Sequence, residues 1–180
     1  MQYKTKFVLI LFLGCLVFSD SLKFNNPNNH GVVGLINIPT ARFYEESSSA
    51  LTFFSGDPDS KITLSMMPYD WFEASVFYTN IEGRPYGSGF SQDYKDKGFN
   101  AKFRIKSEGY FPAIALGFHD IGGTGIYSSE YIVGSYGINN FDFHFGLGWG
   151  RLSGGDLQFR NFLADLDKSF LYRNSKTENG

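Results

Sequence analysis

The stretch Phe99-Asn100-Ala101-Lys102-Phe103-Arg104-Ile105-Lys106 alternates apolar and polar side chains without a break. Successive side chains of a β-strand point to opposite faces, so this run has one apolar and one charged face. The same period recurs at Phe141, Phe143, Phe145, Leu147 and Trp149, with Asp142, His144, Gly146, Gly148 and Gly150 between them. It recurs again where Ile114, Leu116 and Phe118 are set against Ala113, Ala115, Gly117 and His119. A fourth run sets Phe72, Ala74, Val76 and Tyr78 against Glu73, Ser75 and Thr79, although Trp71 and Phe77 blur it. Turn clusters such as Asp57-Pro58-Asp59, Pro68-Tyr69-Asp70, Ser107-Glu108-Gly109 and Ile138-Asn139-Asn140 separate such runs, as antiparallel hairpins require. Eight strands are expected, near residues 32–38, 49–55, 60–67, 71–79, 98–106, 111–119, 129–137 and 141–149. Residues 82–94 are expected to form one long polar loop.

At 180 residues the chain is long enough for one domain. It is rich in aromatic residues and glycine, with 20 Phe, 11 Tyr and 21 Gly, and the formal net charge of −2 offers nucleic acid no electrostatic footing. The single cysteine, Cys15, excludes an intrachain disulfide and a cysteine-based zinc site. Lys4 and Lys6 precede an apolar run from Phe7 to Phe18, the pattern of an export signal too short to span a bilayer as a helix. Cleavage is expected before Asp20, giving a signal peptide over residues 1–19. A second reading makes Phe12-Leu13-Gly14-Cys15 a lipobox, with Cys15 lipidated. Residues 20–30 read as a flexible polar segment, 31–152 as the β region, and 153–180 as a tail in which Leu157, Phe162, Leu163, Leu166 and Phe170 fall at helical spacing.

Two architectures accept these strands. A soluble β-sandwich buries its apolar face between two sheets, whereas an outer-membrane barrel turns that face to lipid and keeps a polar or small interior. The long, aromatic apolar face favours the barrel, as do strand lengths near the 9 to 11 residues that cross a membrane. So do Tyr69, Trp71, Tyr78, Tyr110, Tyr131, Tyr136 and Trp149 near strand ends, where they would form interfacial girdles. The expectation is an all-β, antiparallel transmembrane β-barrel of outer-membrane type, small or partial, with about eight strands and a short C-terminal helical segment.

Several pieces resemble the YjbH family of outer-membrane proteins associated with exopolysaccharide and capsule production in Gram-negative bacteria. They are GLINIPTAR at 34–42, MMPYDWFEASVFYTNI at 66–81, DKGFNAKFRIKSEGYFPAIALGFHDIGGTGIYSSEY at 96–131 and GLGWGRL at 146–152. The resemblance implies an outer-membrane barrel that helps assemble or export a polysaccharide, without enzymatic chemistry. It also implies that this chain is an N-terminal fragment or a truncated paralogue of such a protein, because family members are usually several times longer. The expected partners are outer-membrane lipid, an acidic exopolysaccharide and other polysaccharide-export proteins.

No catalytic motif stands out, and no cofactor or metal is expected. Gly122-Gly123-Thr124-Gly125 lacks the Lys-Ser or Lys-Thr of a phosphate-binding P-loop and reads as a tight turn. His30, His119 and His144 have no metalloprotease spacing, though His119 and His144 would approach each other if both pointed inward. Among Glu73, Asp120, Glu130 and Asp142 no spacing selects a glycosidase pair. The candidate ligand-binding set is Lys102, Arg104 and Lys106 on one strand, faced by Glu73, Asp142 and Glu130. Inside a barrel such charges must pair or line water, and they are expected either to neutralise one another or to contact an acidic polymer. Gly34 to Arg42 is expected to end a strand at Pro39, which has no N–H for a ladder, or to turn inward as a plug.

Overall fold

The computed structural model describes residues 25–87, 89, 91–153 and 161–170. The expected export signal with Cys15, the start of the polar segment, and residues 154–160 and 171–180 of the tail lie outside the described residues.

Seven strands form one antiparallel sheet in sequence order: β3 (Ser48–Ser55), β4 (Asp59–Tyr69), β5 (Phe72–Pro85), β6 (Asp93–Lys106), β7 (Ala113–Ile121), β8 (Ser129–Ile138) and β9 (Phe141–Gly150). They are preceded by a two-stranded hairpin of β1 (Gly34–Leu35) and β2 (Ile38–Pro39). The seven last expected strands are therefore present. The first, expected over 32–38, is instead the small hairpin, folded back at Ile36 and Asn37. The expected loop over 82–94 is shorter, because the β5–β6 ladder continues through Ile81↔Tyr94 and, after a register shift, Pro85↔Asp93. The helical tail is also corrected. The described part forms 3-10 turns at Phe162–Asp165 and Lys168–Phe170, with Leu163 and Ala164 buried and Leu166 exposed.

The sheet carries its polar face inward. Along β4 Lys61, Thr63, Ser65 and Met67 are buried while Ile62, Leu64 and Met66 are exposed. Along β6 Asp96, Asn100 and Lys102 are buried and Phe99 and Ile105 exposed; along β9 Phe141, Phe143, Phe145 and Leu147 are all exposed. What fills the concave side is the segment from Asn26 to Tyr44. It touches β4, β5, β6, β8 and β9 in turn, so the sheet curls around it. No ladder joins β9 back to β3 among the described residues, and the sheet is not closed.

Two glycines make this packing feasible. The chain reverses inside the curl at Gly31, with φ +77°, where a Cβ would strike Thr63. On the wall, Gly117 stands opposite Tyr131, and a Cβ there would meet the phenol ring lying across it. The apolar part of the interior is small, formed by Ala41, Phe43, Met67, Ala113, Ala115, Tyr131 and Val133. Tyr131 is thus buried inside rather than in an outer girdle. Trp149 is covered by Phe162, with ring centroids 5.3 Å apart. Tyr69 and Trp71, stacked at 5.5 Å, share the rim of the short turns with Tyr110, edge-on to Phe111 at 5.1 Å.

Candidate functional site

An extended segment inside a sheet's curl has no strand partner for most of its backbone, and buried N–H and C=O groups must be paired. The wall's polar side chains supply the pairs. The Val33 N–H donates to Glu73 Oε1 at 2.9 Å. Lys102 Nζ donates to the carbonyls of Val33 (3.2 Å) and Arg42 (2.8 Å) and stands 2.6 Å from Glu73 Oε2. Ser65 Oγ donates to the Gly31 carbonyl, Thr63 Oγ1 to that of His30, and the Ala41 N–H donates to Ser135 Oγ. Lys102 and Glu73 are 1% exposed; their charges neutralise each other and the remaining valences hold the segment.

The segment enters and leaves at the same mouth, that of the short turns after β4, β6 and β8. There Arg42 is clamped: Nη1 donates to Glu108 Oε2 at 2.6 Å, Nη2 to Asp142 Oδ1 at 2.5 Å and Nε to Asp142 Oδ2 at 2.9 Å. Burial opposes the charge of Arg42, but hydrogen bonds and attraction from Asp142 and Glu108 outweigh it and raise its pKa. Glu108 also accepts from the Gly137 N–H, tying the β6–β7 turn to β8. The hairpin tip carries a cost: Ile36, a β-branched residue, takes φ +42°, a region such residues seldom occupy.

At the far end of the segment His30 lies over His119, ring centroids 5.2 Å apart, with Lys61 Nζ 3.4 Å from its Nδ1. Burial first, and then the positive charges of Lys61 and Arg151, lower the His30 pKa to about 4. The loop after β7 closes this end. Thr124 donates through N and Oγ1 to Asp96 Oδ1, and the Tyr127 N–H to Asp120 Oδ2. The glycine-rich run is thus a turn pinned by a carboxylate.

The structure sorts the expected residues differently from a single ligand-facing set. Lys102 with Glu73, and Asp142 with Arg42, are committed to the inner segment. Glu130 is not inward at all: its register with Phe118 and Trp149 puts it on the outer face, where Asn161 Nδ2 donates to it at 3.0 Å. Arg104 and Lys106 are left near the mouth, each with its cation over a ring, Phe43 at 4.5 Å and Phe111 at 4.2 Å. His119 and His144 face different partners, Ser129 at 3.3 Å and Ser135 at 2.8 Å. Arg42, Ser65 and Ser135 also hold the inner segment, although the sequence pattern does not single them out for that; Arg42 alone carried a signal, as an isolated cation in a stretch otherwise apolar or small.

The family described as exopolysaccharide biosynthesis protein YbjH matches residues 26–180, from the start of the inner segment onward. The chain belongs to the YjbH family. It is 38% identical over 153 residues, 82% of its length, to the uncharacterized lipoprotein YjbH of Escherichia coli strain K12. The match covers 22% of that relative, so the chain spans about a fifth of its length. No solved structure matches.

Proposed function

We propose that this YjbH-family chain forms part of the wall of an outer-membrane β-barrel that serves exopolysaccharide assembly or export without catalysing a reaction, its lumen occupied by residues 26–44. The observation that carries the reading is the sidedness of the sheet. Leu51, Phe53, Leu64, Phe99, Ile105, Phe143 and Phe145 stand exposed on one face, while the other face is polar and filled. A soluble sandwich needs a second layer over the apolar face, and the 3-10 segment over Trp149 is what lies there among the described residues. Lipid is the solvent that makes a bare apolar face favourable and a polar interior tolerable. Strands β4 to β9, of 9 to 14 residues, are long enough to cross a membrane when tilted.

The seven-stranded sheet has free edges at β3 and β9, and a free edge in lipid leaves backbone groups unpaired. In the longer relatives further strands would supply the closure. The relative's name as a lipoprotein supports reading Cys15 as a lipid acceptor. A lipid there would tether the chain ten residues before Asn25, which lines the mouth from which the inner segment enters. That mouth bears the short turns, which in outer-membrane barrels are periplasmic.

Fractionation of cells expressing the full chain tests the reading. Protein that stays in the outer membrane after carbonate and urea washing, and runs faster on a gel unheated than heated, is the expected result. Release by osmotic shock would instead favour a soluble, carbohydrate-binding periplasmic protein.

A further inference from the structure

We propose that the short-turn mouth holds a binding site for a carboxylate-bearing sugar, centred on Arg104; the sugar part of this assignment rests on the function proposed above. A pocket of about 250 Å³ opens there, lined by Asn25, Arg42, Phe43, Arg104, Ser107 and Glu108 among others. That is below the volume that takes a drug-sized ligand and suits one pyranose ring at a time.

Two guanidinium groups line the pocket and differ in what they have left to offer. Arg42 uses Nε, Nη1 and Nη2 on Glu108 and Asp142. Arg104 has its guanidinium carbon 4.5 Å from the centroid of the Phe43 ring, a cation–π contact that consumes none of its N–H donors. Its counter-ion is Asp70, whose Oδ2 is 3.6 Å from Nη1 and whose side chain is 65% exposed, against 23% for Arg104. A pair that long and that wet contributes little. A ligand carboxylate meeting the guanidinium edge-on with two short hydrogen bonds would displace Asp70. Asn25 and Ser107 then offer both donors and acceptors to ring hydroxyls. Two residues along β6, about 7 Å away at strand spacing, Lys106 repeats the motif of a cation backed by a ring. A polymer acidic at successive units would find a second contact at the same rim.

The test uses the purified full chain in detergent and calorimetric titration with short oligogalacturonate, compared with a neutral glucan oligomer of equal length. Binding of the acidic oligomer alone, weakened at least tenfold in Arg104→Gln and tightened several-fold in Asp70→Asn, is the expected result. The Asp70 variant matters because it removes a competitor and touches nothing buried. Equal binding of neutral and acidic oligomers, or unchanged affinity in both variants, overturns the proposal. If Arg104→Gln does not fold, Asp70→Asn and Arg104→Lys decide it, the latter losing the two-point contact while keeping the charge. The same preparation is checked for heat-modifiable mobility. Acidic-sugar binding by a protein that is not heat-modifiable would sink the barrel and leave the site standing. A heat-modifiable protein that ignores the oligomer would do the reverse.

Discussion

Lys102 and Glu73 show how one pair of side chains can replace a strand. Four valences of the inner segment and wall meet at these two groups, and removing either leaves the other charged, buried and unmatched. Glu73→Gln or Lys102→Met should therefore cost about 3–5 kcal/mol of stability, read as a fall in the urea midpoint of the detergent-folded protein. The double variant Glu73→Gln/Lys102→Met should lose less than the two single losses combined, since no lone charge remains. His30 gives a pH signature. Its pKa is lowered to about 4 in the folded chain, from an ordinary 6.5, so between those values the unfolded chain binds the extra proton. Stability is then complete above about pH 6.5 and declines as pH falls toward 4. His30→Gln should flatten that part of the curve, measured as unfolding temperature at pH 7 and pH 5.

Within the sheet, the small residues facing inward on β7 set how closely the inner segment can approach. Ala113, Ala115 and Gly117 leave room for Ala41, Phe43 and the ring of Tyr131. Gly117→Val should destabilise by about 1–3 kcal/mol through overpacking, and in a Tyr131→Ala background the same change should cost clearly less, because the ring it meets is gone. Denaturant unfolding of the four chains gives the coupling directly. The strands themselves were legible: β3 to β9 follow the period-two runs and their turn residues. The hairpin of β1 and β2 was not, because GLINIPTAR carries the apolar content and β-branched residues of an ordinary strand. Contacts forty to one hundred positions away, from Val33 to Glu73 and from Arg42 to Asp142, help hold it inside the curl.

For the molecule as a whole, the environment of the outward face is the property to test. Leu64 sits mid-strand on β4, flanked by β3 and β5 and pointing out. Leu64→Arg should cost about 2–4 kcal/mol of folding into lipid vesicles, as a cation at mid-bilayer depth does. If that face met water, the same substitution would be nearly neutral, and folding yield in vesicles against detergent distinguishes the two. The alternation of side chains, the turn residues and the motifs of the family were written in local sequence, because period and turn chemistry act over a few residues. Which face turns inward, and what its charges are for, was decided by tertiary structure alone. Alternation is symmetric between a sheet and its mirror assignment, and Lys102, Glu73 and Asp142 could pair with wall, polymer or water until the chain's own segment came to lie between them.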